Sequence, residues 1–482
     1  MTAHAWTLLI ILAAAIGALV ALINSRLRFH PFTALVLVSI GVGLAAGESP
    51  ARITTSLEQG AGKILGNVGV TLAFGAMLGR ILSDSGATDK IARLVVDRAE
   101  GRRLPWYMAA AAFVIGIPMF FEIGLIVLLP LVFSVAQRLG HTGKFNGSPY
   151  LYLAAPTIAA LSTLHGMVPP HPGPLIAVQG LHAHLGLTML VGLVCAIPTV
   201  ILAGPVYGRW IAPRLAVYPD SELVAQFAYR GATSGGEGRA DHAPRTQPPA
   251  TGDGVVSPTR NAVPTGFAVT AVLVPVALML LNTLAELALA KTDPLRPVLA
   301  FTGEPVIAMF AGFLVALFAL GYRSGMPSEA IRASLADSLK SVAGILLIIA
   351  GGGAFNQILV DSGIGKAVQS AATGAHLNVL VLGWLVALLL SFSTGSVTVG
   401  IVAATGILAP LTATGGSLHT ALLVIAIGAG SIGLNYVNHA GFWLVKESFG
   451  MTLGQATKSH TAIQTIVSVC GLAMPLLLSN LT

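Results

Sequence analysis

The chain has 482 residues, with 26 Lys and Arg, 19 Asp and Glu and a net charge of +7, so only 9% is charged against 55% hydrophobic. Soluble domains carry about 25% charged residues, and two or three soluble domains could not be covered with so little charge. With a mean hydropathy of +0.82, this excludes a soluble enzyme and a nucleic-acid binder and leaves an all-α polytopic membrane protein.

The N-terminus runs from Met1 to Trp6 without Lys or Arg and stays apolar to Asn24. A secretory signal needs a basic start and a shorter apolar core, so this stretch reads as a retained first span. Apolar segments follow at 29–47, 62–82, 104–121, 123–138, 149–168 and 185–210. From 212 to 263 the sequence turns polar and rich in Pro, Gly, Ser and Thr, the composition of a flexible linker. Apolar segments resume at 264–290, 298–320, 341–360, 378–392, 396–412, 418–437 and 456–479. The 55 glycines suit close approach of membrane helices and permissive positions in interrupted ones. Cys195 and Cys470 both sit in apolar runs, which implies buried thiols, no disulfide framework and no zinc site.

The two groups of segments repeat. Ile81-Leu82-Ser83-Asp84-Ser85-Gly86 recurs as Ile358-Leu359-Val360-Asp361-Ser362-Gly363. Phe121-Glu122-Ile123-Gly124 stands opposite Phe392-Ser393-Thr394-Gly395, and His171-Pro172-Gly173 opposite His439-Ala440-Gly441. Each match is short, but three in the same order at slowly drifting offsets indicate a duplication. Basic residues set the orientation. With the N-terminus outside, 19 fall on the inner side and only Arg52, Lys291, Arg296 and Lys366 on the outer side. Each half then returns to the opposite side, so the second repeat is inverted. The expected domains are 1–211, a first transmembrane repeat; 212–263, a cytoplasmic linker; and 264–482, the second repeat. Both termini are expected on the periplasmic side of a bacterial-type inner membrane.

Inverted repeats with interrupted helices are the pattern of secondary transporters, whose sites lie near the midplane where the repeats meet. The tips Phe120-Phe121-Glu122 and Ser391-Phe392-Ser393-Thr394-Gly395-Ser396 leave little sequence for a loop, which favours re-entrant hairpins over pairs of full spans. The run from Ser162 to Pro174 holds four prolines, which remove backbone donors and break a helix. Its counterpart from Ser431 to Gly441 uses glycines and amides. Two tips and two broken helices supply half-helix ends whose free N–H groups can hold a carboxylate without a buried Arg or Lys.

These residues resemble the gluconate permease family. The resemblance rests on Phe120-Phe121-Glu122-Ile123-Gly124, on the run His165-Gly-Met-Val-Pro-Pro-His171-Pro-Gly-Pro174 and on Ser393-Thr394-Gly395-Ser396-Val397-Thr398. It spans 1–210 and 264–482; the linker is longer than the family pattern and carries no motif. The resemblance implies a proton-coupled symporter for gluconate or a related sugar acid, with a D-serine-transporting branch, within the wider ion-transporter superfamily. It also implies an elevator architecture and a homodimer, with spans at 6–47 and 264–320 as scaffold against membrane lipid.

Glu122 is the foremost site residue, because a carboxylate at a tip inside the membrane is costly and usually functional; it is expected to bind substrate and the coupling proton. The structural alternative is a protonated Glu capping the turn. His165 and His171 are expected to orient substrate hydroxyls or relay a proton, or else to bond carbonyls freed at the break. Gly173, Ser393, Thr394, Ser396, Asn435, Asn438 and His439 complete the expected substrate site, although Ser and Thr also join membrane helices. Asp84 and Asp361 end their spans in matched turns, where capping at the membrane surface is favoured; Asp361 is a second proton-coupling candidate. Asn356 and Gln357 read as a polar packing contact, and Arg80 as snorkelling to the inner surface.

No cofactor and no metal are expected, since the histidines lack a third ligand at ligand spacing. The coupling ion is a proton, with Na⁺ the alternative because hydroxyls and carbonyls suit it. A membrane hydrolase built on His165, His171 and Glu122 is disfavoured by the lack of a His-Glu-x-x-His run or a nucleophile elbow. A passive channel would not accumulate substrate against a gradient.

Overall fold

The computed structural model describes residues 2–24, 26, 28–88, 90–91, 101–141, 147–219, 264–290, 292–374, 378–414, 416–437 and 439–480. Among the described residues every regular element is a helix. The expected linker lies outside them apart from residues 212–219, as does Asn438.

The first group comprises α1 (Ala3–Asn24), α2 (Pro31–Ala45), α3 (Pro50–Ile64) and α4 (Val70–Asp84), the last two joined by a π turn at Leu65–Gly69. Next come α5 (Leu104–Gly116), α6 (Phe121–His141), α7 (Pro149–Met167), α8 (Pro172–Gly180) and α9 (Leu185–Ile201), which continues through a π turn to Ile211. The second group is α10 (Thr265–Ala288), α11 (Leu295–Gly303), α12 (Pro305–Ala316), α13 (Ser328–Asp361) and α14 (Ile364–Gly374). It ends with α15 (Val379–Thr394), α16 (Val397–Leu408), α17 (Ser417–Ile432), α18 (Ala440–Ser448) and α19 (Ala462–Ser479).

Local sequence explains where these helices begin. Proline at the first position lacks an N–H that would have no partner there anyway; Pro50 and Pro149 follow caps in which Ser49 accepts from the Arg52 N–H (3.3 Å) and Ser148 from the Leu151 N–H (3.1 Å). Asn378 likewise accepts from the N–H groups of Leu380 and Val381. Eight helical stretches among the described residues are long and apolar enough to cross a membrane: Ala3–Ile23, Phe121–Gly140, Pro149–Gly180, Leu185–Ile211, Gly266–Glu286, Pro305–Tyr322, Ser328–Asp361 and Leu453–Ser479. Four shorter apolar helices accompany them, at Pro31–Ala45, Val379–Thr394, Val397–Thr412 and Ser417–Ile432.

Three segments depart from the sequence expectation. The apolar segments at 62–82 and 341–360 are only the inner parts of long helices, because Pro50–Ile64 and the start of α13 are amphipathic and escape an apolar window. The segment 298–320 is not one helix but breaks at Glu304, where Pro305 cannot donate to the preceding turn and starts α12.

Helices α3 and α4 run antiparallel along α13. Ser56 donates to Asp361 (2.6 Å), Gly60 meets Gly353 backbone to backbone, Gly69 abuts Leu346, and Ser334 donates to Asp84. Arg80 also reaches Asp84 (2.9 Å) and Ser334 (3.1 Å), so it pairs within the protein and does not only snorkel. The core is built on α7 and α17, both buried along almost their whole length. They cross where Gly166 faces Gly428, and a Cβ added at Gly428 would fall on the Gly166 carbonyl. In lipid such close backbone approach supplies the dispersion that a hydrophobic driving force supplies in water. Gly428→Ala is therefore expected to cost about 1–3 kcal/mol by overpacking and to lower the unfolding temperature in detergent. Gly17→Ala, where an added Cβ meets nothing within 4 Å, should leave it unchanged or higher. Equal behaviour of the two variants would contradict the contact.

Candidate functional site

Four interruptions of the helical backbone meet at one cavity of about 200 Å³. The turn between α5 and α6 brings Phe120, Phe121 and Glu122 to it; the turn between α15 and α16 brings Gly395, Ser396 and Thr398. The break between α7 and α8 adds His165 and Pro172, and the break between α17 and α18 adds Asn435, His439 and Gly441. Ile345 and Ile348 of α13 close one side.

Each interruption has a local cause. Gly395 ends α15 at φ 70°, a left-handed conformation that glycine adopts without steric cost. Ser396 then caps α16 by accepting from the Val399 N–H (3.3 Å). The four prolines between Pro169 and Pro174 stop α7 and restart the chain as α8. Leu434, at φ 53°, carries the second break, a conformation that costs a bulky residue and persists only where its surroundings hold it.

Most of the freed carbonyls of the second break are satisfied within the protein. Ser391 donates to Ser431 O, Thr461 to Asn435 O (2.7 Å) and Trp443 Nε1 to Val437 O (2.7 Å). At the first break His171 Nε2 donates to Met119 O in the α5–α6 turn (3.2 Å) and lies 3.3 Å from His165 Nδ1. A carbonyl only accepts, so His171 carries its proton on Nε2 and His165 Nδ1 is an acceptor; a neutral His165 keeps Nε2–H for the cavity. Glu122 and His165 line the same cavity.

The N-terminal ends differ in what they offer. The first N–H groups of a helix have no partner within it. At α18 the cap residue His439 makes no side-chain capping bond and spends its ring on Ser391 Oγ (3.2 Å), so the N–H groups of Ala440 and Gly441 stand at the cavity wall. At α8, Pro172 and Pro174 have no N–H to give. The heads of α16 and α18 therefore offer donors that the prolines of α8 do not.

Of the residues the sequence singled out, Glu122, His165, Ser396, Asn435 and His439 line this cavity. His171 sits behind His165, buried against the α5–α6 turn. Gly173 is buried beneath Ile401, where a Cβ would collide with that side chain. Ser393 and Thr394 turn their hydroxyls back to Leu389 O (2.6 Å) and Leu390 O (2.7 Å) of their own helix. Asp361 is outside the lining and accepts from Ser56 Oγ and Gln357 Nε2 (3.0 Å). Asn438 lies outside the described residues. Ser162 and Gln464 line the cavity although the sequence reading gave them no role. The signal for Gln464 was present, since His460 and Gln464 stand one turn apart in an apolar segment. Among the described residues no group of three or more His, Cys, Asp or Glu is placed to hold a metal ion.

Replacing His171 by Ala leaves the Met119 carbonyl without its donor inside an apolar medium. The expected cost is about 1–3 kcal/mol, read as a lower unfolding temperature in detergent. An unchanged unfolding temperature would show that the ring does not hold the turn.

Comparison with known proteins identifies the family. A sequence profile described as GntP family permease matches residues 6–233 and 245–481. The chain is 40% identical over 479 residues to a gluconate permease of Pseudomonas aeruginosa, covering 99% of each chain. It is 37% identical to a high-affinity gluconate transporter of Escherichia coli K12, over 96% of this chain and 97% of that one. The crystal structure of the Alcanivorax borkumensis YdaH transporter superposes with a TM-score of 0.61 at 14% identity, over 93% of this chain and 98% of that one, a likeness of fold alone. The chain belongs to the GntP permease family and is a multi-pass membrane permease, not an enzyme.

Proposed function

We propose that this permease is a proton-coupled symporter that brings gluconate, or a related small hydroxylated carboxylate, into the cell. The observation that carries this reading is one cavity bounded by both tips and both breaks, with Glu122 in its wall. The gluconate-carrying relatives support the substrate class. The substrate carboxylate is received by the N–H groups at the heads of α16 and α18, where the helix dipoles favour an anion. Glu122 takes the coupling proton, since an intramembrane carboxylate is otherwise hard to sustain. Asp361 is assigned to the contact between the long helices, because its oxygens are already engaged there.

Two inverted repeats, at 1–211 and 264–482, account for the architecture. Exchanging the halves carries Ser56 close to Ser334 and Asp84 to Asp361, so the contact from Ser334 to Asp84 maps onto the contact from Ser56 to Asp361. Helices α15 and α16, of 16 and 12 residues, are shorter than the roughly 17–25 residues a span needs, which supports a re-entrant hairpin there; in the first hairpin α5, of 13 residues, is short and α6, of 21, is long enough to span. In the elevator reading the tips and breaks move together against a scaffold of α1, α2 and α10–α12, which also supplies lipid and homodimer contacts. The distribution of basic residues supports a cytoplasmic linker and outward termini in a bacterial-type inner membrane.

The test is uptake by the purified full chain in proteoliposomes with an imposed pH gradient in sodium-free buffer. Gluconate should accumulate, and Glu122→Gln should abolish accumulation while leaving gluconate exchange across the membrane. Accumulation that requires sodium, or a variant that still accumulates, would overturn proton coupling through Glu122. Preference for D-serine over gluconate in the same assay would reassign the substrate.

A further inference from the structure

Besides the heads of α16 and α18, the cavity is lined by three polar residues from separate elements: Ser162 on α7, Asn435 in the second break and Gln464 on α19. All three residues are more than nine-tenths buried, at 2%, 6% and 3% exposure. Among the described residues Ser162 Oγ, Asn435 Oδ1 and Gln464 Oε1 have no hydrogen-bond partner, although buried polar atoms are nearly always paired.

These orphans are not accidents of helix geometry. On α7, Thr157 and Thr163 return their hydroxyls to Leu153 O (2.9 Å) and Ala159 O (2.7 Å), whereas Ser162 between them does not. The Gln464 amide is held by its nitrogen, 3.4 Å from His460 Nε2 one turn earlier. His460 is itself wedged between Phe121 and Phe442. With one N–H of that nitrogen donating to His460, the Gln464 carbonyl oxygen is the amide atom left unpaired. The amide oxygens of Asn435 and Gln464 repel a carboxylate and require a donor from the ligand, while the Ser162 hydroxyl can accept from or donate to a substrate hydroxyl.

We propose that Gln464, Asn435 and Ser162 form a hydroxyl-reading wall that engages the polyol chain of the substrate and sets selectivity for polyhydroxylated over simple carboxylates. His460 is a positioning residue that fixes which face of the Gln464 amide meets the substrate. The proposal rests on the reading of this cavity as the substrate site. A site built to bond a hydroxyl rejects the analogue that lacks it, because its own buried group is then left unpaired.

The test is inhibition of labelled gluconate uptake in proteoliposomes by unlabelled gluconate and each of its monodeoxy analogues. The wild-type chain should bind at least one monodeoxy analogue about tenfold more weakly than gluconate. In Gln464→Leu, gluconate should weaken about tenfold while the analogue lacking the hydroxyl read by Gln464 is unchanged, so discrimination collapses at that carbon alone. Ser162→Ala, a smaller change, should produce the same collapse at a different carbon, and unfolding temperatures establish that both variants are folded. Folded variants in which all analogues weaken by the same factor, or none weakens, would overturn the wall. A wild-type chain that none of these acids inhibits, although it folds and exchanges another substrate, would instead remove the reading beneath the proposal, and the proposal with it.

Discussion

A helix that stops inside hydrocarbon leaves backbone groups that no solvent can satisfy, at several kcal/mol each. This chain stops four times in one region, at two tight turns and two broken helices. The arrangement holds because side chains from other elements answer the freed carbonyls: His171 for Met119, Ser391 for Ser431, Thr461 for Asn435 and Trp443 for Val437. What is left over is selective, namely N–H groups at helix heads and unpaired oxygens of Ser162, Asn435 and Gln464 among the residues that line one cavity. The backbone that is expensive to bury is thus the same backbone that makes the cavity polar.

Packing protects that arrangement. Helices α7 and α17, which lead into the two breaks, are buried almost throughout and touch through Gly166 and Gly428. Around them the antiparallel run of α3 and α4 along α13 is closed at both ends by a hydroxyl-to-carboxylate bond. Ile345 and Ile348 of that long helix reach the cavity wall. Helix α8, whose prolines have no N–H to offer, and α18, which keeps its first N–H groups, bring different chemistry to one site.

Much of this was legible in the sequence. Apolar periodicity located the spans, and proline and glycine runs marked the breaks, because both signals are local. Glu122, His165, Ser396, Asn435 and His439 were found by their polarity in apolar surroundings. Ser393 and Thr394 have the same polarity, but a hydroxyl on a helix can always turn back to its own carbonyls, and only the three-dimensional course of the tip decides this. Gln464 went unremarked because it lies far along the chain from both breaks and reaches the cavity only through the packing of α19. The amphipathic starts of α3 and α13 were missed for a related reason, since their polar faces dilute any window average.

The central claim is that the four interruptions enclose the substrate. A structure of the full chain determined with gluconate bound in lipid tests it most directly. The account places the carboxylate at the N–H groups of Ser396–Thr398 and Ala440–Gly441, with the hydroxyl chain extending toward Glu122, Ser162 and Gln464. Gluconate density outside this cavity, or a carboxylate directed at the Ser162–Gln464 wall, would contradict it.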